Sequence, residues 1–326
     1  MNEAIIRWGI IGCGDVTEVK SGPAFNKVPR SKLVAVMRRN EAKAKDYAER
    51  HGVPRWYGDA TALINDPEVD AVYVATPPLQ HEEYTMQALQ AGKPVYVEKP
   101  MAIDAKAAAR MAKAANDSGV KLCVAHYRRQ QPLFRKVKSL LEEGAIGMPR
   151  LVNLQCLQPH DSSLFIRTEE PWRYDPAVSG GGLFYDLAPH QLDLMLYFFG
   201  KPERVKGISI NAAGKYNADD TTTGDVLFPN QVLFNGAWSF SVPEKRDHCE
   251  IIGTEGSLQF KIFEHRELVL KKEDSETRFA FDPLPHVQQP MIEQVVRYFL
   301  GEGPNPDSGE EGVTVMEMMD RMVGKI

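Results

Sequence analysis

Two short stretches carry residues that could do chemistry on one ligand. Gly9-Ile10-Ile11-Gly12-Cys13-Gly14 leaves an apolar run and leads through Asp15 and Val16 into a helical pattern. In that setting glycines let the backbone approach a nucleotide pyrophosphate, and the first amides of the helix supply donors and a positive dipole. Glu98-Lys99-Pro100 closes a second apolar run, setting an ammonium group where a reacting oxygen could sit and a carboxylate where it could position that lysine or a nucleotide ribose. Ligands of open α/β sheets bind in the crevice outside the C-terminal ends of the strands. Together the two stretches read as a hydride-transfer site. Alone, the first also reads as a tight turn without a ligand, because Thr17 stands where the third glycine of a dinucleotide fingerprint belongs.

The next candidate strand ends Val36-Met37-Arg38-Arg39, where an acidic residue would accept from a ribose 2′-hydroxyl. Two guanidinium groups favour a 2′-phosphate instead, so NADP(H) is expected ahead of NAD(H). The other reading leaves the arginines stacked on adenine or facing solvent. Thr76-Pro77-Pro78, with His81 just beyond, gives a stiff apolar wall against a flat ring, or a plain strand-to-helix turn. Farther on, Asp186 and His190 lie four apart. A helix starting near Asp186 would put both on one face, with His190 in its first turn, where the dipole favours the neutral ring. Taken by themselves they read as an ordinary N-cap and a buried histidine.

These residues need a scaffold, and the pattern supplies one. Runs 4–11, 33–37, 71–75, 94–98 and 121–125 are too continuously apolar to face water on one side, and segments 41–51, 82–91 and 104–118 between them read as helices. Gly52, Gly92 and Gly119 end them. Strand and helix in alternation give a doubly wound parallel sheet over 1–125. From 126 the rhythm changes to a helix at 132–143, a strand at 150–157, a helix at 187–199, and an antiparallel meander across 205–271. Residues 126–309 therefore form a second, α+β domain with an open, mostly antiparallel sheet. Segment 303–309 reads as a surface loop, and 310–326 as a last helix packing back on the first domain. A sheet covered on one face leaves the other to a partner, so a homodimer or homotetramer through this sheet is expected.

Composition excludes several classes. The 326 residues carry 39 basic and 44 acidic side chains, a net charge of −5, which offers no footprint for nucleic acid. The densest basic stretch, Arg128, Arg129, Arg135, Lys136 and Lys138, reads as a solvated helix face. Cys13, Cys123, Cys156 and Cys249 form no C-x-x-C pair, so neither a metal site nor a redox motif is expected. No signal peptide, transit sequence or membrane-length apolar run is read, which points to the cytoplasm.

The ordered set Gly12-Cys13-Gly14, Thr76-Pro77-Pro78 with His81, 91–100 ending Glu98-Lys99-Pro100, Pro171-Trp172-Arg173, Gly180-Gly181-Gly182, and Asp186 with His190 resembles the Gfo/Idh/MocA oxidoreductases along nearly the whole chain. The resemblance implies an N-terminal Rossmann domain, a C-terminal α/β domain, a nicotinamide cofactor between them, and sugar, polyol or related cyclic substrates. It implies Lys99 as the catalytic lysine, His190 as the acid/base histidine and Asp186 as the orienting carboxylate. It further implies Tyr127 and Arg128 as pocket residues and Trp172-Arg173 as a cofactor-proximal pair. Ala188-Pro189 departs from the family's pattern between Asp186 and His190. Related proteins also allow a dinucleotide sensor without turnover, or a dehydrogenase of dihydrodiols or tetrapyrroles.

Overall fold

The computed structural model describes residues 4–165 and 172–326. The chain divides into two units, Met1–Tyr127 with Pro285–Met316, and Arg128–Leu284 with Glu317–Ile326. Segment 285–309 thus belongs with the first unit, where the sequence had placed it in the second.

In the first unit six parallel strands, β1 Ile6–Ile11, β2 Ser31–Met37, β3 Arg55–Tyr57, β4 Ala71–Val74, β5 Val95–Val97 and β6 Leu122–Val124, lie in the order β3-β2-β1-β4-β5-β6. Helices α1 Asp15–Val19, α2 Glu41–His51, α3 Ala60–Ile64, α4 His81–Gln90 and α5 Ala105–Ser118 connect them. Side chains of β4, β5 and β6 are buried without alternation, as strands covered on both faces require. Helix α2 starts on an Asn40 cap that accepts from the Lys43 amide and stops at left-handed Gly52.

Helix α9, Gln289–Phe299, completes this core. Its Met291, Ile292, Val295, Val296 and Phe299 pack with Trp8, Phe25, Tyr73 and Tyr96. The stretch expected as a surface loop is anchored along β6: the Val124 amide donates to the Asp307 carbonyl, Asn305 donates to the Leu122 carbonyl, and Asp307 is fully buried.

In the second unit, after α6 Pro132–Glu142, come β7 Pro149–Leu157, α7 Pro176–Ser179, α8 Gly182–Phe199, β8 Arg204–Ile210, β9 Thr221–Phe228, β10 Val232–Ser239, β11 Arg246–Gly253, β12 Ser257–Phe260, β13 Glu267–Lys272 and β14 Ser275–Ala280. The strands form one sheet in the order β14-β13-β12-β11-β7-β10-β9-β8, antiparallel except where β10 pairs with β7. Its inner face buries Phe234, Trp238 and Ile251, and Trp238 donates to Gln191 of α8 at 2.6 Å. The other face is open: Ile208 is 71% exposed and Leu233 46%. The last helix, α10 Gly309–Met322, begins in the first unit and ends in the second. Gly207 and Gly224 have no Cβ because Met322 lies directly against them.

Candidate active site

In the first unit the glycine turn is packed tightly against the ends of two strands. Gly12 has φ +93°, and a Cβ there would meet Thr76 at 2.8 Å, so only glycine lets the β1 turn lie against the end of β4. The Gly12 and Cys13 amides both donate to the Met37 carbonyl, at 2.9 and 3.1 Å, which ties the turn to the end of β2. Gly14 caps α1, and exposed Asp15 and half-buried Val16 form its first turn. Thr17 is fully buried, donates its hydroxyl to the Gly14 carbonyl at 2.8 Å and accepts from Tyr47 at 2.8 Å. The close packing that a third glycine permits is found instead at Gly22, where a Cβ would lie 2.2 Å from the Thr17 carbonyl and from the Tyr47 hydroxyl. Burial pushes the Cys13 thiol up to about 12, and the nearby Arg38 charge only partly opposes it. Cys13 is therefore a packed thiol in this turn.

Arg38 is half-buried and Arg39 exposed, and among the described residues neither guanidinium has an ion-pair partner. The Thr76 hydroxyl is buried without a hydrogen-bond partner beside the glycine turn. An orphan hydroxyl at a cradle that excludes Cβ atoms fits a dinucleotide. Gly12, Gly14, Thr76 and Pro77 would line its phosphates and ring, with Arg38 and Arg39 at its ribose end.

Glu98 is 5% exposed and its oxygens are fully engaged. One accepts from the Tyr73 hydroxyl at 2.6 Å and from Gln288 at 2.5 Å, and the other from the Lys99 amide at 3.1 Å. Glu98 therefore fixes the backbone that carries half-buried Lys99. His81, expected at the cofactor, is buried between two backbone carbonyls. Its Nδ1 lies 2.9 Å from the Pro100 carbonyl and its Nε2 2.7 Å from the Thr76 carbonyl. Burial lowers its pKa, against the pull of those two carbonyls. Tyr127, expected at the substrate, is buried in the first unit's aromatic core.

In the second unit α8 begins at Gly182 with Gly181 as its cap, a full turn before the expected start at Asp186. Asp186 is no N-cap, His190 sits in the third turn, and Pro189 is inside the helix. The dipole argument for a neutral His190 falls away, because that field fades beyond the first turn. Leu183, Phe184 and Tyr185 are fully buried, so apolar burial starts the helix where no polar cap is present. Asp186 and His190 do share a face, four apart. Arg173 donates to Asp186 at 3.0 Å and stacks over the Trp172 ring at 4.2 Å. Of the pair expected near the cofactor, Arg173 thus holds Asp186 and Trp172 lies under its guanidinium, while Pro171 lies outside the described residues. His190 is 4% exposed and sets its ring edge toward Phe263, 6.0 Å between centroids.

The basic stretch is not solvated at its start: Arg128 and Arg129 are 6% and 2% exposed. Arg128 donates to the Ile262 carbonyl at 2.6 Å and stacks on Phe263, and Arg129 pairs with buried Asp193 at 2.8 Å. Composition could not show this, because the acceptors lie 134 and 64 residues away. Beside Phe263 opens a cavity of about 780 Å³ whose wall includes Gln155, Gln158, Ser162, Lys245 and His248. None of these carried a sequence signal.

Comparison with known proteins decides the family. Residues 6–126 match the model described as an oxidoreductase family with an NAD-binding Rossmann fold, and residues 134–259 match the GFO/IDH/MocA C-terminal domain. The chain belongs to the Gfo/Idh/MocA oxidoreductases. It is 45% identical to Oxidoreductase P35 of Formosa agariphila over 99% of both chains. It is 28% identical to 1,5-anhydro-D-fructose reductase of Ensifer adhaerens over 94% of this chain and 92% of the relative. A levoglucosan dehydrogenase solved with NADH and levoglucosan superposes with a TM-score of 0.86 at 22% identity, covering 97% of this chain and 96% of that one, which shows the shared fold. As a Gfo/Idh/MocA member the chain is an NAD-binding oxidoreductase. No helix among the described residues is long and apolar enough to cross a membrane.

Proposed function

We propose that this oxidoreductase transfers a hydride between a nicotinamide cofactor, NADP(H) in preference to NAD(H), and a secondary alcohol or ketone of a sugar, polyol or related cyclic compound. The observation that carries this reading is Lys99 on a backbone fixed by Glu98, next in the sheet to the orphan Thr76 hydroxyl and the glycine cradle. The bound nicotinamide supplies or takes the hydride. Lys99 steadies negative charge developing on the substrate oxygen, a contribution that grows where water is excluded. His190 accepts the hydroxyl proton in the oxidising direction and returns it in reduction, and Asp186, held by Arg173, orients substrate or imidazole. Phe263 and the amides of Gln155 and Gln158 offer the mixed apolar and polar lining that a sugar ring requires. The names of the relatives, an anhydrofructose reductase and a levoglucosan dehydrogenase, support the sugar class. Unpaired Arg38 and Arg39 support the 2′-phosphate.

The test is absorbance at the reduced-nicotinamide band while cyclitols, aldoses, ketosugars and anhydrosugars are offered with each cofactor. Turnover with a lower KM for NADP(H) is expected. Binding without turnover across the panel makes the chain a dinucleotide sensor, and a strong preference for NAD(H) overturns the reading of Arg38 and Arg39. We further propose a homodimer or homotetramer through the open sheet face, where Ile208, Ile210 and Leu233 stand exposed. A monomer in light scattering removes that assembly.

A further inference from the structure

We infer that His81 is a positioning residue that ties the cofactor wall to the catalytic-lysine loop. It deepens the reading above and rests on it for the roles of the two loops, but not for the tie itself. The ring is 1% exposed at the first residue of α4. Its two nitrogens point at two carbonyls from different strand ends, Thr76 after β4 and Pro100 after β5. Thr76 carries the orphan hydroxyl beside the glycine cradle, and Pro100 directly follows Lys99. Neither loop has regular structure at these residues, and prolines at 77, 78 and 100 deprive both of amide donors for a ladder. Their relative position therefore needs a side chain. An imidazole with a proton on each nitrogen donates to both carbonyls across a rigid ring, so in that form it fixes the gap between them as a flexible chain could not. The two carbonyls favour the doubly protonated ring while burial opposes it, so the tie is complete at low pH and one of its two bonds is lost as the ring becomes neutral.

The two edges can be removed separately. In His81→Asn the amide nitrogen takes the place of Nδ1 and keeps the Pro100 side; in His81→Gln it takes the place of Nε2 and keeps the Thr76 side. Hydrogen exchange on the full chain, at a pH low enough for the wild-type ring to carry both protons, should then split. His81→Asn should speed exchange of the Thr76, Leu79 and Gln80 amides about tenfold and leave Met101, Ala102 and Ile103 unchanged, and His81→Gln should do the reverse. With NADPH as probe, followed by its fluorescence, His81→Asn should raise the dissociation constant several-fold, while His81→Gln should leave it within about twofold. A merely structural histidine predicts the same loosening from both variants. That result, no loosening in either, or the affinity loss appearing in His81→Gln instead, overturns the inference. Each variant is judged alone, so one that fails to fold leaves the other to decide. If the wild-type chain binds neither NADPH nor NADH, the functional reading falls, and the exchange pattern still judges His81.

Discussion

Two carboxylates, buried Glu98 in the first unit and half-buried Asp186 in the second, are held by opposite means. Glu98 is surrounded by neutral donors, the Tyr73 hydroxyl, the Gln288 amide and the Lys99 backbone. Asp186 faces the Arg173 guanidinium, and seven residues on in the same helix Asp193 faces Arg129. The first arrangement aligns a loop, because its donors come from β4, from the residues just after β5 and from the turn before α9. The second anchors one helix by charge, because α8 is apolar nearly all round and must carry its few polar groups in compensated pairs. In the first unit the fold builds a collar of neutral donors around the carboxylate that fixes the Lys99 backbone. In the second unit helix geometry sets Asp186 and His190 on one face.

The sharpest way to test that division is to delete the group the collar serves. Lys99→Ala should lower kcat by about 10²–10³ with NADPH affinity unchanged, as expected for an interaction that strengthens only in the transition state. Steady-state kinetics on the best substrate of the panel, with a fluorescence titration of NADPH, checks both halves. Should affinity vanish while the far-UV spectrum is unchanged, Lys99 binds cofactor instead.

Much of this contrast was legible in the sequence, and the failures have physical causes. Strands β1, β2, β4, β5 and β6 were readable because strands buried on both faces are continuously apolar. Three-residue β3 is too short to show a period. The start of α8 was misplaced because the glycines at 180–182 signal a loop, whereas burial of Leu183, Phe184 and Tyr185 extends the helix back to Gly182. Helix α9 had its signals, Pro290 at the start and apolar positions 291, 292, 295, 296 and 299. Lys99 could be read from its place at a strand end. The Glu98 collar could not, since Gln288 lies 190 residues away and nothing local marks a residue that will dock there.

The two carboxylates themselves give the last comparison, in chemical denaturation. Asp186→Asn leaves the Arg173 guanidinium, 5% exposed, without its counter-charge, and breaking such a pair costs about 3 kcal/mol. Stacking on Trp172 recovers part of that. Glu98→Gln keeps the shape and one acceptor oxygen but turns the other oxygen into a donor. If the new amide faces the Lys99 N–H, two donors oppose each other. If it turns the other way it meets Tyr73 and Gln288, and Tyr73 can redirect its hydroxyl to Ser21, 3.2 Å away. Because neutral partners can re-pair and a guanidinium cannot change sign, the loss should be smaller, about 1–2 kcal/mol. The order of the two midpoints is the measurement. A larger loss from Glu98→Gln than from Asp186→Asn would mean that the collar depends on its negative charge, and the division between a carboxylate held by neutral donors and a charge-anchored helix would not hold.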